Sequence, residues 1–161
     1  AFMYTHLLFD WGNTLMVELP DYSGPMYLWP SIELCDGVAE TLAVLSQHYQ
    51  CHIATNAVDS TEEEIRMALQ RGGIDSFIDE IFCFRSLGFE KSSDEYFPAI
   101  LSALNCGEEA VLMVGDSWEK DILTAQSAGI DAVWITPRET SKSDTAKVIR
   151  QFSDLIPLLD P

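Results

Sequence analysis

Asp10 closes an apolar run, His6-Leu7-Leu8-Phe9, and Asp116 follows a second such run, Val111 to Val114, behind Gly115. In open parallel sheets ligands gather at the carboxyl ends of strands, so an acid at each of two run ends reads as a site rather than as scattered surface charge. Asp121 comes next, in the first turn of the helix expected after Asp116. Should the three carboxylates converge, each pair about 4 Å apart would repel by roughly 4 kcal/mol at an effective dielectric near 20, so the cluster demands a cation. Carboxylate and carbonyl oxygens suit a hard divalent ion, and magnesium is the usual one where a phosphate must also be held. Two more segments fall at run ends: Thr55-Asn56 after Cys51 to Ala54, and Lys91 some way beyond Ile81 to Phe84. The hydroxyls of Thr14 and Thr55, with backbone amides near Trp11, Gly12 and Asn56, supply donors for an oxyanion, and Lys91 supplies a neutralising charge. A carboxylate nucleophile, a metal, a lysine and hydroxyl donors together describe phosphoryl transfer through an aspartyl-phosphate.

These residues need elements to hold them. Short β-type runs occur at Leu7 to Phe9, Cys51 to Ala54, Ile81 to Phe84, Val111 to Val114 and Ala132 to Ile135, with helical patterns between them. Val38, Leu42 and Leu45 share a face, and Ile65 and Leu69 follow Ser60-Thr61-Glu62-Glu63, which has capping-box spacing and a Gly72-Gly73 stop. Ser92 to Glu95 offers another start, weakened by Pro98. Trp118, Ile122 and Ala125 mark a helix after the fourth run, and Val148, Ile149, Phe152, Leu155 and Ile156 suggest a closing helix. Strand and helix alternate, so the expected fold is a three-layer, Rossmann-like α/β domain spanning residues 1 to 161, with a parallel sheet flanked by helices. The one compositional break, Glu18 to Pro30, carries Pro20, Gly24, Pro25, Pro30, Tyr22, Tyr27 and Trp29, and reads as an ordered loop beside the site, a small flap.

The 161 residues fit one domain, and 47% apolar content can fill one core. Nine basic against 26 acidic residues give a formal charge of −17, which makes nucleic acid and anionic membrane poor partners. Cys35, Cys51, Cys83 and Cys106 show no zinc spacing and read as buried reduced thiols. No apolar run approaches the roughly 18 residues of a membrane span, and a cytoplasmic protein is expected.

In these segments the sequence resembles the haloacid dehalogenase superfamily. Phe9-Asp10-Trp11-Gly12-Asn13-Thr14-Leu15, Ile53-Ala54-Thr55-Asn56, Lys91, and Val114-Gly115-Asp116-Ser117 through Asp121 are similar to its four motifs, in order and each after the expected strand. The resemblance implies Asp10 as nucleophile and metal ligand and Gly12 as a backbone carbonyl ligand. It further implies Asp116 as a direct magnesium ligand, Asp121 as binding or orienting the metal's waters, and Thr55 and Lys91 as phosphate holders. Thr14, Asn56, Trp11 and Gly12 complete the expected phosphate-binding set.

The chain departs from the family pattern in several places. The phosphatase branch carries a second aspartate where Gly12 stands, as acid for the leaving group and then as base for hydrolysis. Its absence predicts slow turnover of substrates with poor leaving groups unless Glu18, Asp21 or Glu119 supplies the proton. Ser92 stands where relatives often have proline after the lysine. Gly115-Asp116 favours metal-dependent chemistry over the dehalogenase branch, which dispenses with metal. Only Met16 to Cys35 is available where many relatives carry a helical cap; it holds no lysine, which disfavours phosphonatase chemistry, and it leaves an open site. The expected substrate is a small phosphate ester or a phosphorylated macromolecule, with a second copy of the chain as a cover. The alternatives are a non-catalytic, regulatory phosphate-ester binder and a metal-independent dehalogenase.

Overall fold

The computed structural model describes residues 4–137 and 145–160. In chain order it comprises β1 (His6–Phe9), α1 (Val38–Leu45), β2 (Gln50–Ala54), α2 (Glu62–Gly72), β3 (Ile81–Phe82), α3 (Phe84–Leu87), α4 (Tyr96–Leu104), β4 (Val111–Gly115), a π-helical turn Trp118–Leu123 continuing into α5 (Thr124–Ser127), β5 (Asp131–Ile135), β6 (Lys147–Ile149) and α6 (Leu155–Leu159). The strands form one six-stranded sheet in the order β3-β2-β1-β4-β5-β6, and every pairing is parallel. Helices cover both faces, as the alternation of elements predicts.

Alternate residues of a strand face opposite sides, so β1 feeds two cores. Leu7 and Phe9 pack with Val38, Leu42 and Leu45 of α1, Ile65 and Leu69 of α2, and Leu155 of α6. Leu8 packs on the other face with Tyr96, Phe97 and Ile100 of α4 and with Ile122 and Ala125. The start of α2 is a reciprocal capping box one residue later than the spacing suggested: Glu64 N–H donates to Thr61 Oγ1 at 3.2 Å, and Thr61 N–H donates to Glu64 Oε1 at 3.0 Å. Gly73, in the left-handed region at φ 76°, ends it. Pro98 is harmless in α4 because it is the third helical residue, where the backbone donor has no partner within the helix.

Two expectations are corrected. Ile81 to Phe84 is not one strand: β3 stops at Phe82, and Phe84 begins α3, whose entry is fixed by Cys83 N–H donating to Ser86 Oγ at 3.0 Å. The closing segment is likewise not a single helix. Val148 and Ile149 join β6, which satisfies the outer edge of β5 with Trp134 opposite Val148, while only Leu155 onward is α-helical. Without β6, the outer side of β5 would carry a row of unpaired backbone groups, a demand that local periodicity cannot see. Among the described residues no helix is long and apolar enough to cross a membrane, and the four cysteines are unpaired.

A histidine pair lies inside the sheet. Glu80 N–H donates to His52 Nδ1 at 3.2 Å, so the ring proton sits on Nε2 and is directed at His6 Nδ1, 2.9 Å away. Burial, then the neighbouring His6, pushes the His52 pKa from 6.5 down to about 4. A neutral folded imidazole that charges on unfolding stabilises fully above pH 6.5, and this contribution is lost as pH falls toward about 4. Urea unfolding across that window is expected to lose on the order of 2–3 kcal/mol to this group. His52→Asn, whose side-chain oxygen can accept the Glu80 donor, should flatten the pH dependence; an unchanged slope would remove the pair from the account.

Candidate active site

Central β1 lies between β2 and β4 with Phe9 opposite both Ile53 and Val114, so the three strand tips open side by side. Asp10 N–H extends the ladder by one bond, to Val114 O at 3.0 Å, and the chain then turns sharply, with Leu15 N–H and Met16 N–H both donating to Trp11 O at 3.1 Å. Asn13 adopts a left-handed φ of 60° within this turn, a conformation asparagine tolerates better than most residues.

The turn brings the predicted charges together. Lys91 is 1% exposed, and its Nζ lies 2.7 Å from Asp10 Oδ1 and 2.7 Å from Asp121 Oδ1. Thr14, fully buried, points its hydroxyl between Asp10 Oδ2 at 3.3 Å and Asp116 Oδ1 at 3.2 Å. Ser117 N–H donates to Asp121 Oδ2 at 3.0 Å. Oxygens of Asp10, Asp116 and Asp121 lie within 4.8 Å of one another. Gly115 makes this possible: a side chain there would put its first carbon 2.5 Å from the Asp121 Cβ and nearer still to its carboxyl group.

Supporting bonds fix the remaining loops. Asn56 Oδ1 accepts from Lys91 N–H at 3.0 Å, and the buried Tyr96 hydroxyl lies 3.1 Å from both Thr55 O and Phe82 O. Trp134 Nε1–H donates to Asp116 O at 2.9 Å. Trp134 and Tyr96 escaped the sequence reading because an apolar pattern assigns aromatics to the core and says nothing of where their polar atoms point.

Two of the three carboxylates share one ammonium and the third does not, and their titration reflects it. Burial drives the Asp10 carboxyl up, but Lys91 and hydrogen bonds outweigh burial and hold it below its usual range. Burial also opposes the Lys91 charge, yet Asp10 and Asp121 raise its pKa overall. Asp121 is raised by burial and by Asp10, against Lys91. Asp116, which has no Lys or Arg ion-pair partner among the described residues, is pushed up to about 7 by burial and by its bond and repulsion with Asp10. Such a set of crowded hard oxygens fits a divalent cation.

A carboxyl group whose pKa rises on folding costs stability as pH climbs from 3.8 toward about 7, since the folded state must release a proton that the unfolded chain has already lost. Asp116→Asn should therefore melt higher than the parent at alkaline pH without metal, and any rise in Tm that millimolar magnesium produces in the parent should be smaller in the variant. Equal magnesium-induced rises in both proteins would exclude Asp116 from the cation site.

A cavity of about 720 Å³ opens over the cluster, lined by Asp10, Trp11, Gly12, Thr55, Asn56, Lys91, Asp116 and Asp121 among others. Thr14 lies beneath this floor and holds two carboxylates. Residues 16–35 form one wall, contributing Glu18, Tyr22 and Trp29. Leu15 and Cys35, with Val17 and Glu33, close the base of this segment through backbone bonds of 2.8 Å. Trp29, 8% exposed, donates its Nε1–H toward Ser23 O and Gly24 O, both at 3.1 Å. The Arg71 guanidinium donates to Tyr27 O at 3.0 Å and also to Trp29 O, tying the wall to α2.

The model of the haloacid dehalogenase-like hydrolase family matches residues 21–135. The chain belongs to that family. The matched span starts beyond Asp10 and takes in Thr55, Lys91, Asp116 and Asp121. YfnB of Bacillus subtilis is 29% identical over 135 residues, covering 83% of this chain and 56% of its own. The ribulose-1,5-bisphosphate 5-phosphatase of Halopiger xanaduensis is 30% identical over 134 residues, 80% of this chain and 54% of its own. This family member spans about half the length of the curated relatives it matches. Its fold is shared with the magnesium-bound crystal structure of YfnB, at a TM-score of 0.78 and 19% identity over 98% of this chain and 99% of that one. An uncharacterized protein from Listeria monocytogenes aligns at 0.82 and 26% identity over 96% of each chain.

Proposed function

We propose that this chain is a magnesium-dependent phosphohydrolase that cleaves phosphate monoesters through an aspartyl-phosphate on Asp10. The observation that carries the reading is the oxygen cluster of Asp10, Asp116 and Asp121, two of which pair with one buried ammonium. Asp10, Asp116 and the Gly12 carbonyl would hold the ion, with Asp121 orienting its waters. When bound, magnesium supplies positive charge that neutralises the phosphoryl oxygens and the carboxylates facing them.

The residues of the chain do the rest. Asp10 is ionised, and Lys91 and Thr14 fix its two oxygens, so one of them is aimed as a nucleophile at cavity bottom. Lys91 carries its charge permanently and stabilises the charge spread over the transferring group. Thr55 and Asn56, with amides at Trp11 and Gly12, line the cavity where phosphoryl oxygens need donors. Relatives at 32% and 24% identity are a glyceraldehyde 3-phosphate phosphatase and a pyrimidine 5'-nucleotidase, which supports a phosphate ester as substrate. The flap at 16–35 stands in place of a cap, and a second copy of the chain completes the cover over the open cavity. Four unpaired thiols suit a cytoplasmic setting.

Because position 12 is glycine, the proton for the leaving group has to come from elsewhere in the cavity. General acid catalysis is worth about 10²–10⁴ on an alkyl phosphate and far less on an aryl phosphate, whose phenolate leaves unaided, so the ratio of the two rates is expected to report whether such an acid is at work. Phosphate release should need magnesium and stop on chelation. Halide release from a haloacid that survives chelation would instead assign the dehalogenase reading. Gly12 also favours a second reading, a regulatory phosphate-ester binder; calorimetric binding of the aryl ester with no turnover would establish it.

A further inference from the structure

Glu18 fills the space that glycine leaves at position 12. A β-carbon on Gly12 would stand 2.9 Å from Glu18 Cγ and 2.8 Å from Cδ, with Oε1 closer still. The Gly12 backbone lies outside the left-handed region, so glycine is not there to permit an unusual conformation; its missing side chain makes room for another residue's carboxyl group. The placement is built by the turn after Asp10. Asn13 N–H donates to Met16 O, Asn13 Oδ1 accepts from Glu18 N–H at 3.0 Å, and Val17 N–H donates to Glu33 O at 2.8 Å, so the backbone leading into the Glu18 side chain is tied down.

Of the three acids considered in the sequence, Glu18 lines the cavity, whereas Asp21 and Glu119 are absent from its walls. Asp59 lines it too, but from beyond Thr55 and with Oδ1 3.4 Å from the Ser60 hydroxyl. The oxygens of Asp10 and Asp121 are already engaged by Lys91, Thr14 and Ser117, and Asp116, whose Oδ1 accepts from the Thr14 hydroxyl at 3.2 Å, belongs to the same oxygen cluster. Glu18 is thus the carboxyl group of the cavity wall set directly over the residue two places from the nucleophile.

We infer that Glu18 is the general acid and base of this site, an inference that rests on the phosphohydrolase reading above. As an Asp10 oxygen bonds to phosphorus and the ester P–O bond breaks, the Glu18 carboxylic acid gives its proton to the departing oxygen, releasing the alcohol. The resulting carboxylate then takes a proton from water, whose oxygen bonds to phosphorus as the Asp10–phosphorus linkage breaks. Alcohol and inorganic phosphate leave, and both carboxyl groups return to their starting forms.

The test compares the full chain with Glu18→Gln, in magnesium, on one aryl and one alkyl phosphate. Glu18→Gln should lower kcat/KM for the alkyl ester by on the order of 10²-fold, with a much smaller fall for the aryl ester, and should accumulate phosphorylated protein in a burst of aryl alcohol. Adding Gly12→Asp to Glu18→Ala should restore alkyl turnover by returning a carboxyl group to the same space. A readout independent of activity is metal-free melting: Gly12→Asp should lower Tm when Glu18 is present and lower it less when residue 18 is alanine. Equal falls on both esters, no fall on either, or no coupling in melting would overturn the assignment of Glu18. Absence of turnover by the parent protein on both esters would fail the phosphohydrolase reading first, and this inference with it.

Discussion

Asp10→Asn is expected to lower phosphate-ester turnover by at least about 10³-fold while leaving the protein folded. The loss follows from chemistry: a neutral amide oxygen does not form the covalent bond to phosphorus that an ionised carboxylate forms. Retention of the fold follows from geometry. The amide oxygen still accepts from Lys91 Nζ, Lys91 keeps its 2.7 Å bond to Asp121, and the substitution removes one of the charges that crowd Asp116. Stability should change by about 1 kcal/mol, the range of a single hydrogen bond or ion pair. Rapid-quench labelling with a radioactive phosphate ester should mark the parent protein and leave the variant unlabelled. A variant that turns over substrate within tenfold of the parent would mean that another residue is the nucleophile.

Lys91→Met carries the largest effect on stability. The ammonium is 1% exposed and paired at 2.7 Å with each of two carboxylates. Methionine keeps much of the volume but leaves Asp10 and Asp121 without a counter-charge, and removing one partner of a buried ion pair costs about 3–5 kcal/mol. For a domain whose total stability is about 5–15 kcal/mol, that is a large share. The deficit has a direction in pH. Carboxylates that lose their cation titrate higher, so the variant recovers stability as the medium becomes acidic enough to protonate them, and it does so at a higher pH than the parent. Urea unfolding of the two proteins at mildly alkaline and mildly acidic pH checks both size and trend. Turnover is lost as well, since the charge that faces the transferring group is gone. A variant as stable as the parent at alkaline pH would show that the ion-pair cluster contributes little to the fold.

Much of the frame is legible along the chain because each feature is local. Apolar runs followed by acids mark β1 and β4, the Thr61 capping box and Gly73 bound α2, and alternation of the two periods gives the layered α/β class. The misreadings share a cause. Val148 and Ile149 have helical spacing to Phe152 and Leu155, but the open edge of β5 offers hydrogen bonds that a helix would leave unmet. Phe84 continues an apolar run by type, yet the Ser86 side chain captures the Cys83 backbone and turns the chain into α3. Thr14 is plausible as a phosphate donor by spacing alone; its observed neighbours, Asp10 and Asp116, are 4 and 102 residues away.

The amino-acid order alone determined which residues can carry charge and chemistry, since residue type and distance from a strand end are properties of the chain itself. Asp10, Thr55, Lys91, Asp116 and Asp121 were named from it, as was the gap at Gly12. Tertiary structure alone decided how those charges share one ammonium, why Asp116 is left with the raised pKa, and which acid stands over Gly12. The physical reason is that electrostatic coupling and steric exclusion act over a few ångströms of space, and a parallel sheet brings residues far apart in the chain side by side only after its crossovers have closed: Lys91 meets Asp10 across 81 residues and Asp121 across 30.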